Sequence, residues 1–235
     1  RRVLFRSDLI GIYEERIIKG GGDREEVLAE AKEALLQKYG AVETEEKLTA
    51  EEFDEIVSEI EELKEKKIIF VAGGVGTAPV YPQAKWLHEH GVQSDVIIGA
   101  KTKDLVILED KMREVANVFV TTDDGSYGRH GNVTVPLKEM LEAGEKFDLI
   151  ITIGPLIMMK FVVATARPFG VPVTVSMNPI MIDGTGMCGG CRLTVGGKTR
   201  FACVDGPEFD AHEIDFDEAI ARGRTYQDFE RHAYE

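Results

Sequence analysis

Ile68-Ile-Phe-Val-Ala72 runs without a break into Gly73-Gly74-Val75-Gly76-Thr77-Ala78-Pro79. Five apolar residues with no polar alternation read as a strand buried on both faces. Three glycines follow, and Pro79 suits a first helical turn, where its missing N–H costs nothing. A strand passing through such a loop into a helix is how a parallel sheet opens a nucleotide site. The glycines let backbone approach a pyrophosphate, and the helix N-terminus supplies N–H groups and positive dipole. Gly73, Gly74, Gly76, Thr77, Ala78 and Pro79 are therefore candidate cofactor-binding residues. A tight strand-to-helix turn without a ligand is the competing reading.

The same texture continues outward. Strands are expected at Ile68–Ala72, Asp95–Ala100, Val118–Thr121, Leu149–Gly154 and Val171–Met177, with helices at Pro79–His90, Asp104–Ala116, Val133–Ala143 and Leu156–Thr165. This alternation predicts an α/β, doubly wound parallel sheet with helices on both faces. Ligands of such sheets bind beyond the C-terminal strand ends, where the strand order switches. Three further loops fall there. The second strand ends Gly99-Ala100-Lys101-Thr102, with no acidic residue to hold a ribose hydroxyl, and Lys101 could take a ribose or a phosphate instead. NAD and NADP are not separated by these residues. Thr121-Thr-Asp123-Asp124-Gly-Ser126-Tyr-Gly128 offers small and polar groups, and Gly154-Pro155 lets a nicotinamide approach. Met158 and Met159, next in line, read as core filling.

All three cysteines lie in the run Asp183-Gly-Thr-Gly-Met-Cys188-Gly-Gly-Cys191…Phe201-Ala-Cys203. Thiols at this spacing in glycine-rich backbone point to metal ligation. Asp183 stands where the first ligand of a C-x4-C-x2-C…C iron–sulfur pattern would sit. Asp183, Cys188, Cys191 and Cys203 are the candidate metal ligands. Two alternatives stand beside this: a structural zinc on the cysteines with Asp183 or His212, and Asp183 as an Asx-turn residue. Between the cysteines, Arg192–Phe201 reads as a β-hairpin turning on Gly196-Gly197.

Upstream, Asp23-x-x-Glu26 and Thr49-x-x-Glu52 resemble capping boxes, so residues 1–66 are expected to hold an acidic N-terminal helical hairpin. The chain begins Arg1-Arg2-Val3, which suggests a fragment or a processed product. A net charge of −14 argues against nucleic acid and anionic membranes, both of which reward excess Lys and Arg. An odd, clustered cysteine count does not suit a secreted disulfide scaffold, and a cytoplasmic location is expected. No paired-carboxylate or Ser/His/Asp hydrolytic arrangement emerges, and no catalytic side chain is assigned.

Gly74-x-Gly76-x-x-Pro79, Thr122-Asp123-Asp124-Gly125, Gly154-Pro155 and the Asp/Cys cluster, in this order, resemble the ferredoxin–NADP reductase-like superfamily. More narrowly they resemble the electron-transfer subunit of dihydroorotate dehydrogenase. The nearest branch is the small subunit of NADH-dependent ferredoxin–NADP oxidoreductase, also described as a sulfide dehydrogenase subunit. The resemblance covers about Lys67 to Asp217. It implies a NAD(P)-binding domain at 67–180, a [2Fe–2S] segment at 181–217 and an acidic tail at 218–235. An Asp in place of the dihydroorotate branch's first cysteine favours the nearest branch.

The implied activity is electron transfer from NAD(P)H, with NAD(H) ahead of NADP(H), through FAD to the [2Fe–2S] cluster and a partner subunit. The alternatives are a dihydroorotate dehydrogenase subunit in pyrimidine biosynthesis, and a non-catalytic docking module with a relic nucleotide fold. Family members carry an N-terminal flavin-binding β-barrel, and residues 1–67 do not resemble it. FAD is thus implied by the family alone, with a truncated or rearranged gene product as the expected explanation.

Overall fold

A computed structural model describes residues 66–225. The expected N-terminal hairpin and the last ten residues of the tail lie outside this range. Seven strands form one sheet: β1 (Ile68–Gly73), β2 (Ser94–Ala100), β3 (Asn117–Thr122), β4 (Arg129–His130), β5 (Leu149–Ile153), β6 (Val173–Ser176) and β9 (Glu208–Asp210). Their order is β4-β3-β2-β1-β5-β6-β9. All neighbours pair in parallel except β9, which runs antiparallel to β6 along the edge. A separate hairpin joins β7 (Arg192–Val195) to β8 (Lys198–Phe201).

Helices cover both faces, as the unbroken apolar strands require. Period-two alternation divides β1 between them. Ile68, Phe70 and Ala72 pack with Val80, Ala84 and Leu87 of α1 (Thr77–Glu89) and with Met112 of α2 (Glu109–Arg113). Ile69 and Val71 face the other way. There Leu137 and Leu141 of α3 (Thr134–Glu142) meet Met159, Val162 and Val163 of α4 (Leu156–Ala166). The chain's single tryptophan, Trp86, lies on α1 and stacks on His90 with ring centroids 3.9 Å apart.

Two elements differ from expectation. Of the helix expected over Asp104–Ala116, a 3-10 turn at Lys103–Leu105 and the short α2 form, separated by Leu108 at φ 59°. The β-branched pair Val106-Ile107 favours extended backbone between them. The expected boundary between the 181–217 segment and the acidic tail at 218–235 falls inside a helix, α5 (Phe216–Gly223). Asp215 caps it by accepting the Glu218 N–H at 2.9 Å. Phe216 and Ala219 of α5 enter the same core as Cys191 and Leu193.

Candidate functional site

The strand order places the switch point between β1 and β5. The loops leaving these two strands pack backbone against backbone. A β-carbon on Gly76 would overlap the Ile153 carbonyl oxygen, and one on Gly154 would lie 3.1 Å from the Gly73 Cα. A β-carbon on Gly73 would collide with Met158 Sδ. Glycine is thus required here by the neighbouring loop as well as by any ligand. Gly74 differs, taking φ 54° with open space around it.

Most of the expected nucleotide residues gather on this edge. Val75, Ala78 and Pro79 are exposed at the head of α1, and Pro155 is exposed at the end of β5. Thr77 is fully buried, and its backbone N–H bonds the carbonyls of Gly74 and Val75. Its neighbours therefore form the exposed surface of this loop. One strand over, the Asp123 and Asp124 N–H groups donate to the carbonyls of Ala100 and Lys101, fastening the β3 loop to the end of β2. Lys101 and Asp123 are exposed. The Asp124 carboxylate instead accepts from the Ser126 hydroxyl at 2.7 Å and the Ser126 N–H at 3.0 Å, and these bonds hold its pKa below the usual carboxylate value.

Beyond them opens a cleft of about 430 Å³, lined by Lys103, Val106, Leu108, Glu109 and Tyr127 among others. Tyr127 donates its hydroxyl to Glu109, which Arg113 also engages at 2.7 Å. Glu109 and Lys103 carry no motif of their own. Only the fold, by folding the α2 segment back toward the β3 loop, brings them together.

The cysteine segment leaves β6 at Met177 and is tied at once to the loop after β5, because Asn178 Nδ2 donates to the Gly154 carbonyl at 3.4 Å. Asp183 organises the turn that leads to Cys188. Its Oδ1 accepts from the Thr185 N–H at 2.9 Å and its Oδ2 from the Cys188 N–H at 3.0 Å, and the Thr185 bond chiefly lowers its pKa. The Asx-turn geometry is therefore present, and each oxygen keeps a further lone pair for a cation.

Cys188 is exposed, Cys191 buried and Cys203 half-buried. Gly190 N–H points at Cys188 Sγ and Cys203 N–H at Cys191 Sγ, each at 3.4 Å. The Cys203 thiol is held above its ordinary value, first by its hydrogen bond with Cys191. The four expected ligands thus fall into two pairs, Asp183 with Cys188 and Cys191 with Cys203. Among the described residues no three His, Cys, Asp or Glu side chains converge as they would on a single ion. Two pairs of donors, with amide N–H groups aimed at sulfur, fit an iron–sulfur cluster in chemistry better than one tetrahedral zinc.

Residues 178–215 match the iron–sulfur cluster binding domain of dihydroorotate dehydrogenase B. The chain is 49% identical over 168 residues to the dihydroorotate dehydrogenase B electron transfer subunit homolog of Thermotoga maritima, covering 72% of this chain and 59% of that one. The cysteine segment is thus similar to that iron–sulfur binding domain, and the chain to relatives named as electron transfer subunits. With the corresponding Streptococcus pneumoniae subunit it shares 36% identity over 149 residues, covering 62% and 58%. An uncharacterised Clostridium beijerinckii protein is 58% identical over 174 residues, covering 73% and 59%. Among solved structures, a chain of an NADH-dependent reduced ferredoxin–NADP oxidoreductase matches with TM-score 0.66 and 44% identity, over 73% of this chain and 62% of that one. The domain is accordingly ferredoxin-reductase-like. The chain spans under two thirds of the length of each of these relatives.

Among the described residues no helix is long and apolar enough to cross a membrane.

Proposed function

We propose that the chain is an electron-transfer subunit of a flavin/iron–sulfur oxidoreductase. It takes electrons from NAD(P)H by way of FAD and passes them through a [2Fe–2S] cluster to a partner subunit, in the manner of NADH-dependent ferredoxin–NADP oxidoreductase. One observation carries this reading. The loops at the β1 and β5 ends and the cysteine segment that follows them are joined by the Asn178–Gly154 bond, which supports reading them as adjoining donor and acceptor sites.

In this reading the first turn of α1 and the loop Gly74–Gly76 hold the pyrophosphate with backbone N–H groups. Pro155 and Gly154 seat the nicotinamide, Lys101 and Asp123 meet the adenosine half, and NAD(H) is preferred to NADP(H). Cys188, Cys191 and Cys203 bind as thiolates and Asp183 as a carboxylate, while Gly190 and Cys203 N–H groups moderate charge on the sulfurs. Held there, a cluster would supply one-electron chemistry, and FAD, held outside residues 66–225 or on a partner, would supply the exchange between two electrons and one. The domain boundaries are 67–180 for the nucleotide and 181–217 for the cluster.

The dihydroorotate dehydrogenase reading is the second one. It is favoured by the family assignment of residues 178–215, whereas Asp183 favours the first. Iron, acid-labile sulfide and flavin measured on one anaerobic preparation test both. About two irons and two sulfides per chain are expected. Stoichiometric zinc without sulfide would overturn them. Electron delivery to ferredoxin or to a dihydroorotate-oxidising partner then separates the two.

A further inference from the structure

The loop Cys188-Gly189-Gly190-Cys191 is held from outside by two guanidinium groups. Arg192 reaches the Gly189 carbonyl, at 3.4 Å from its own N–H and 3.5 Å from Nη1. Arg222, thirty-two positions on and half-buried, donates Nη2 to the Gly190 carbonyl at 3.2 Å. In a trans peptide the C=O and the following N–H point to opposite sides. Holding Gly189 C=O on Arg192 therefore turns the Gly190 N–H the other way, and it lies 3.4 Å from Cys188 Sγ. Holding Gly190 C=O on Arg222 likewise fixes the plane that carries the Cys191 N–H.

Arg222 is delivered by a helix rather than by a loop. Its helix α5 is capped by Asp215, pinned by the Lys160–Asp217 ion pair, and seated by Phe216 and Ala219 in the core that includes Cys191. The guanidinium is charged at every working pH and, half-buried, is screened less than a surface group.

We infer that Arg222 is a positioning residue for the cysteine loop and the cation that raises its reduction potential, by orienting the Gly190–Cys191 peptide and by opposing the negative charge that each electron adds. This rests on the proposal that the segment holds a cluster.

The test uses the full chain, purified anaerobically as wild type, Arg222→Ala, Arg222→Gln and Arg222→Lys. Acid-labile sulfide and the midpoint potential are measured on each, the latter by a mediated titration followed by electron paramagnetic resonance. Arg222→Gln is expected to keep its sulfide but to lower the reduced-to-oxidised ratio at the wild-type midpoint about tenfold, which is about 59 mV for one electron. Arg222→Lys is expected to stay within about twofold, since it keeps the charge. A wild-type midpoint in Arg222→Gln overturns the inference, as does an equal drop in Arg222→Lys. Should Arg222→Ala lose its cluster, the Gln and Lys variants decide. A wild-type chain without sulfide instead overturns the cluster proposal, and this inference with it.

Discussion

The glycine-loop edge of the sheet and the cysteine segment adjoin one another but are shaped by different forces. At the edge, loops from β1 and β5 touch backbone to backbone, and Gly73, Gly76 and Gly154 leave no room for a methyl group. In the cysteine segment the backbone is held by side chains: Asp183 on two N–H groups, Asp205 on the Phe201 N–H at 2.7 Å, and Arg222 on a carbonyl. Damage to the first should appear as lost stability. Damage to the second should appear as lost cofactor on an intact fold.

Gly76→Ala is the sharpest way to break this contrast. Its new methyl meets the Ile153 carbonyl, and overpacking of that kind should cost about 3 kcal/mol of unfolding free energy in urea. Gly74→Ala faces only its positive φ and should cost about 1 kcal/mol. Equal losses would show that the two loops give way and that the packing is not what demands glycine.

Next in size is Asp183→Ala. It orphans the Thr185 and Cys188 N–H groups in an exposed loop, where water can satisfy both and the cost to the fold should be small. Far-UV circular dichroism should be unchanged while iron per chain falls severalfold. Asp183→Asn sharpens the result, because its amide keeps one acceptor for the turn but loses the anionic donor. Full iron in Asp183→Asn would leave Asp183 as a turn residue alone.

A smaller effect is expected at Asp205→Ala, which removes the acceptor for the Phe201 N–H and the Arg200 ion pair at 3.7 Å. About 1 kcal/mol should be lost, with Cys203 less firmly placed. The smallest is a pH effect at Asp124. Its folded-state pKa is depressed by Ser126, so its contribution is complete above the unfolded-state value and disappears as pH falls through the lower folded value. The Ser126 amide resonance, followed by NMR, should move through that acid window and stay still in Asp124→Asn.

The parallel sheet was legible because it is written locally. Each central strand is a continuous apolar run, and each loop at its end carries glycine or proline. The loop glycines were legible in position but only half in meaning. Met158 and Ile153, which demand them, lie some eighty residues away in the chain, and spacing within one loop cannot report such neighbours. Met159 is fully buried, in keeping with core filling.

The short edge strands β4 and β9 escape notice for a different reason. Two or three residues are too few to show a period, and pairing with β3 and β6 is what makes them strands. Helix α5 is another case. Asp215-x-x-Glu218 is the same start signal seen at Asp23, but its acidic surroundings resemble a solvated tail until Phe216 and Ala219 find the core. At the cysteines, spacing gave the ligand candidates, whereas their pairing and the arginine contacts required the fold.

Trp86 gives the molecule a built-in reporter. Because the chain has only one tryptophan, its indole emission comes from a single place, the last turn of the helix that springs from the glycine loop. The imidazole of His90 stacks on the indole with ring centroids 3.9 Å apart, so the emission reports on how the end of this helix is packed. Reduced nicotinamide seated at the head of the same helix would drain the excited indole by energy transfer. Dimming that tracks added NADH would then measure occupancy in the native chain, without any label.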